Sequence, residues 1–209
     1  MKLYIIRHGQ TDWNRVRKLQ GRTDIPLNEW GRRVAKLTRE GLKDVTFDIA
    51  FSSPLVRAKE TAELVLQGRD VPIVDDDRLL EVDFGPYDGE SFFLEDENLQ
   101  NFFNKPEAYY SVGGSESIES VFERTGNFLS ELYEKPEYQN STILISTHGA
   151  ALCGLLCNIK KWGKADFWKG GLHKNCGFSI VEVTDGVPKI IEEAIVAYDE
   201  TELVKNNKK

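Results

Sequence analysis

KLYIIRHG, residues 2–9, is an apolar run, Leu3-Tyr4-Ile5-Ile6, that stops abruptly on Arg7, His8 and Gly9. A continuous apolar run of this length, closed by a glycine, reads as a strand covered on both faces, as in a parallel sheet with helices above and below. A second run ends in the same way: STILISTHG (141–149) passes through Ile143-Leu144-Ile145 to Thr147-His148-Gly149 and then into a helical pattern. A third junction, FDIAFSSPLVR (47–57), leads from a short apolar run through Pro54 to Arg57. Ligands of open parallel sheets sit outside the carboxyl ends of the strands. Arg7, His8, Arg57 and His148 are therefore predicted to meet in one crevice although they lie far apart in sequence.

Working outward, VPIVDD (71–76) reads as a further strand, Asn28 as the cap of a helix, and Pro54 as part of the first turn of another. A helix from about Ser117 carries Ile118, Val121, Phe122, Leu129 and Leu132 inward, and the helix after Gly149 extends through Leu155. GFSIVEV and PKIIEEAIV flank the turn TDGVP as an antiparallel hairpin. Residues 84–114 are irregular and rich in aromatic and acidic side chains, and read as an inserted lid. The fold class is α/β: a three-layer, doubly wound, mostly parallel sheet with an antiparallel edge and that lid. At 209 residues and 40% hydrophobic, the chain suits a single domain over 1–209, with a flexible tail at 205–209. No leader or membrane-length apolar run is seen, so a cytoplasmic location is expected. A formal charge of −7 argues against nucleic acid or an anionic membrane as partner and leaves room only for a local cluster of cations. Cys153, Cys157 and Cys176 read as buried free thiols, Asp75-Asp76-Asp77 as a solvated turn, and His173 as an exposed loop residue.

Two arginines and two histidines around one crevice make an anion site, and the planar fork of arginine fits phosphoryl oxygens. A neutral imidazole attacks phosphorus when its other nitrogen is held protonated by a carbonyl, which assigns His8 as nucleophile. His148, made cationic by the phosphate, would stabilise charge with Arg7 and Arg57, Asn14 would add a neutral hydrogen bond, and Glu81 would protonate the leaving oxygen. RHGQTDWN (7–14), QGRTDIPLNEWG (20–31), SSPLVRAKETA (52–62), LLEVDFGPYDG (79–89) and STHG (146–149) together resemble the histidine phosphatase superfamily, the phosphoglycerate mutase-like proteins. The resemblance spans about residues 3–196. It implies a phosphohistidine on His8, a phosphate pocket of Arg7, Asn14, Arg57 and His148, and a proton donor at Glu81. It also implies substrate contacts at Gln20, Gly21 and Gly149 and support of the Arg57 loop by Ser53 and Thr61. No metal and no cofactor is expected.

The expected activity is hydrolysis of a small-molecule phosphate monoester. Alternatives are a phosphoglycerate mutase, a fructose-2,6-bisphosphatase-like enzyme, or a non-catalytic phosphate-binding protein; a homodimer is left open. Between Asp88 and Tyr110 the acids Asp88, Glu90, Glu95, Asp96, Glu97 and Glu107 outnumber the one base, Lys105. This predicts repulsion of a second negative charge and a preference for neutral or apolar leaving groups. Arg15, Arg17, Lys18 and Arg22 read as a solvated basic edge, with a second anion site as the alternative. About half of Phe92, Phe93, Phe102, Phe103, Tyr109 and Tyr110 are expected to pack the lid down, leaving some to face substrate.

Overall fold

The computed structural model describes residues 1–198. Among them the strands are β1 (Lys2–Arg7), β2 (Ile49–Ser52), β3 (Ile73–Asp75), β4 (Thr142–Thr147), β5 (Phe178–Thr184) and β6 (Val187–Ile195). They form one sheet in the order β3-β2-β4-β1-β5-β6. β1, β4, β2 and β3 pair in parallel, whereas β5 joins β1 antiparallel and β6 closes that edge as a hairpin. The hairpin turn places Asp185 and Gly186 at φ 51° and 73°, the pair of positive values that a two-residue type I′ turn needs.

The helices are α1 (Asp12–Arg15), α2 (Glu29–Gly41), α3 (Val56–Leu66), α4 (Glu97–Asn104), α5 (Ile118–Glu134) and α6 (Gly149–Lys160). Alternation along the strands sorts them into two layers. Leu3, Ile5, Ile143 and Ile145 pack with Phe128 and Leu129 of α5 and Leu152 and Leu155 of α6. Tyr4, Ile6 and Leu144 face the opposite way, onto Val34 and Ala35 of α2 and Ala62 and Val65 of α3. Each Val, Leu, Ile or Phe among them contributes roughly 1.5–3 kcal/mol by leaving water. The fold is thus the expected α/β sandwich with an antiparallel edge. No helix among the described residues is long and apolar enough to cross a membrane.

Local departures have identifiable causes. Pro54 precedes α3, whose N-cap is Leu55. The α6 helix continues past Leu155 to Lys160 because Leu156, Cys157 and Ile159 extend its buried face. Within 84–114, where the sequence looked irregular, α4 forms with Asp96 accepting the Leu99 N–H at 2.8 Å; that acid is a helix cap. Fully buried Phe102 of α4 meets Phe84, Tyr109, Phe167 and Trp168, so this segment is packed onto the body through a third apolar cluster. The tail at 205–209 lies outside the described residues.

Candidate active site

Strand register brings the two histidines together. Arg7 lies opposite Thr147, so His8 and His148 leave neighbouring strand ends side by side. The His8 N–H donates to the Thr147 carbonyl at 2.9 Å, and the ring centroids are 5.1 Å apart. At the next strand Ser52 lies opposite Ser146, and the Ser53 N–H donates to the Ser146 carbonyl at 3.0 Å. The chain then turns through Pro54 and places Arg57 in the first turn of α3, fully buried.

Hydrogen bonds fix the state of each ring. His8 Nδ1 lies 2.7 Å from the Gly9 carbonyl oxygen, which can only accept, so Nδ1 carries the proton and Nε2 keeps its lone pair. Burial, then Arg57 and Arg7, hold His8 well below the ordinary imidazole value of 6.5, against the pull of the Gly9 carbonyl. His8 is therefore neutral at pH 7. His148 Nδ1 accepts from Arg57 Nε at 3.1 Å, which leaves Nε2–H to donate to Ser53 Oγ at 2.7 Å. Burial, then Arg57 and His8, hold this ring neutral as well.

Arg57 is placed differently from a free phosphate fork. Besides His148, it donates to the Thr23 carbonyl at 3.0 Å and the Gly21 carbonyl at 2.7 Å, so all three side-chain nitrogens have protein acceptors. Burial lowers it to about 10, which leaves it a cation at neutral pH. Arg57 and His148 are both fully buried and do not line the cavity over His8. Gly21 stands with them: a Cβ there would lie 2.8 Å from the Val82 carbonyl oxygen, so the approach that delivers its own carbonyl to Arg57 needs glycine. Thr61 ties these pieces together by accepting from the Gly9 N–H and donating to the Arg57 carbonyl.

A cavity of about 420 Å³ opens over His8, with Arg7, Asn14, Gln20, Glu81, Gly149 and Asn175 around its polar end. Arg7 Nη1 donates to the His173 carbonyl at 2.6 Å, but its Nε is buried without a partner among the described residues. Gln20 is similar: Oε1 accepts from Thr11 Oγ1 at 2.7 Å, while Nε2 is buried and unpartnered. Unmatched buried donors are uncommon and costly, and two of them in one cavity wall suit an anion. Asn14 closes a capping box with Thr11 that engages its carboxamide oxygen, leaving the NH₂ end to offer. Glu81 Oε1 accepts the N–H groups of Ala150 (3.0 Å), Ala151 (3.1 Å) and Val82 (3.0 Å), and so caps α6 from outside the helix. Oε2 has only a shared contact with Ala150, at 3.2 Å, and is the freer oxygen. A Cβ on Gly149 would lie 2.8 Å from Leu172 Cδ1 and 3.5 Å from Glu81 Oε2, so glycine keeps that corner open.

Two contributors were missed in the sequence. His173 is buried, at 2% exposure, not an exposed loop residue: its Nε2 meets Ser179 Oγ at 2.7 Å, its carbonyl holds Arg7, and burial lowers it to about 4. Asn175 Nδ2 donates to the His8 carbonyl at 3.0 Å and reaches Asn14 Oδ1 at 3.4 Å. No local pattern marks either residue; they reach the site because β5 lies beside β1. The apolar end of the cavity is built from Phe84, Phe92, Phe93, Phe103, Trp168 and Leu172. Phe102 and Tyr109 are buried in packing, and Tyr110 is exposed. The three cysteines are buried free thiols, with burial pushing Cys157 and Cys176 up to about 12.

The family model of the histidine phosphatase superfamily (branch 1) matches residues 3–195. The uncharacterized phosphatase PhoE of Bacillus subtilis is 40% identical over 155 residues, 74% of this chain and 75% of its own. Phosphoserine phosphatase 1 of Hydrogenobacter thermophilus is 28% identical over 189 residues, 88% of either chain. The solved structure of YhfR from Bacillus stearothermophilus has a TM-score of 0.87 at 30% identity, covering 93% of this chain and 97% of that one.

Proposed function

This chain belongs to the histidine phosphatase superfamily, and from that premise we propose that it hydrolyses phosphate monoesters through a phosphohistidine on His8. One observation carries the reading: the His8 ring is neutral, its proton kept on Nδ1 as donor to the Gly9 carbonyl, which leaves Nε2 as the nucleophilic nitrogen of a ring that lines the cavity. Nε2 attacks phosphorus as the bond to the leaving oxygen breaks, and the proton for that oxygen comes from Glu81 Oε2. Water then attacks phosphorus as the N–P bond breaks, Glu81 takes its proton, and inorganic phosphate leaves with His8 regenerated. Arg7 Nε, Gln20 Nε2 and the Asn14 amide are donors for the phosphoryl oxygens, and the buried charge of Arg57 supports them through His148. With both ring nitrogens engaged, His148 acts in this reading as a neutral link between Arg57 and Ser53, not as the cation expected of it.

The test is a panel of phosphorylated metabolites, with phosphoglycerate interconversion followed beside phosphate release. Net release of inorganic phosphate, unchanged by a chelator, is the expected result. Interconversion of the phosphoglycerates without net release would overturn it.

A further inference from the structure

Resting on the phosphatase reading, we propose that the preferred substrates carry a second anionic group on an apolar leaving group, and that Arg17 and Lys18 recognise it. The basic segment 15–22 divides in the structure. Arg15 pairs with Asp12, and Arg22 with Asp83 and Glu116. Arg17 and Lys18 form no ion pair among the described residues, and they are the two that line the cavity. Each lies against an aromatic ring, Arg17 at 5.4 Å from the Phe93 centroid and Lys18 at 5.5 Å from that of Trp13. Their backbone is fixed to the 89–92 segment: the Phe92 N–H donates to the Arg17 carbonyl at 2.9 Å, and the Leu19 N–H to the Glu90 carbonyl at 2.8 Å. Arg17 is held at φ 56°, a conformation that a residue with a Cβ keeps only where its surroundings impose it.

The six acids expected to repel a second charge are not in the cavity wall. Asp88 accepts from the N–H groups of Gly21 and Thr23, and Asp96 caps α4. The one cavity therefore brings together a phosphoryl site at His8, an aromatic wall and two cations without carboxylate partners among the described residues. That combination matches a monophosphate whose apolar body ends in a carboxylate or a second phosphate.

The test compares kcat/KM for 4-(carboxymethyl)phenyl phosphate and its uncharged amide, 4-(carbamoylmethyl)phenyl phosphate, whose leaving groups differ little except in charge. The wild type should favour the carboxylate about tenfold at low salt, and the ratio should shrink as salt screens the contact. Arg17→Met and Lys18→Met should each lower the ratio severalfold, and Arg17→Glu should bring it below one. A wild-type ratio of one or less with the amide turned over, or ratios unchanged in the variants, would overturn the specificity proposal and leave the phosphatase reading standing. Failure to hydrolyse either ester would overturn both.

Discussion

At the scale of single residues, the proposed reaction asks two separable things of Glu81: Oε1 caps α6, and Oε2, which has only a shared contact with Ala150, would transfer the proton. Glu81→Gln can keep an acceptor toward the helix, so its melting temperature should change little. Its rate on alkyl phosphates should fall about 10²–10⁴-fold, with less than about tenfold loss on p-nitrophenyl phosphate, whose phenolate leaves with little help from an acid. Equal losses on both would assign Glu81 to structure alone. His8 gives a second prediction. Since its folded value lies well below 6.5, the acid limb of kcat/KM should also lie well below pH 6.5, and a limb at 6.5 or above would contradict the neutral nucleophile. The convergence of Arg7, His8 and His148 was legible in the sequence because the ends of β1 and β4 carry them, whereas Arg57 sits in the first turn of α3 and Glu81 lies beyond β3. The engagement of Arg57 was not legible, since it depends on two carbonyls from the separate 21–23 loop.

At the scale of elements, the segment before β5 holds His8 in place through Asn175. Asn175→Ala removes the donor to the His8 carbonyl and to Asn14, and should lower kcat/KM roughly 10–100-fold while costing about 1 kcal/mol of stability. Stability loss with kcat/KM unchanged would reduce Asn175 to packing. The 84–114 segment is proposed to act as a fixed wall, because Phe102 is fully buried against the body and Trp168 Nε1 donates to its carbonyl at 2.7 Å. Phe102→Ala should cost about 3–5 kcal/mol, read by urea unfolding, whereas a loosely seated lid would lose far less. Periodicity revealed the strands and the long helices. It missed α4 because that helix is only eight residues long, and its aromatics pack onto Phe167 and Trp168, which no local window contains.

At the scale of the whole molecule, His8, His148 and His173 are buried and neutral, which ties stability to pH. Each has a folded value below its unfolded one, so the unfolded chain binds more protons as pH falls below 6.5. Stability present at neutral pH is lost on acidification below 6.5, down to about pH 4 for His173. The slope approaches about 1.4 kcal/mol per pH unit for each ring. The urea midpoint should therefore drop clearly between pH 7 and pH 5, and a flat or rising midpoint would contradict burial of neutral rings. The same burial keeps the His8 lone pair available, and on that the account turns. The most direct measurement is an acid- or base-quenched reaction with ³²P-labelled substrate, followed by mapping of the labelled peptide. The account predicts label on His8 of the wild type, labile to acid and stable to base, and none on His8→Ala. Label retained by His8→Ala, or label mapping to a serine or a carboxylate, would contradict it.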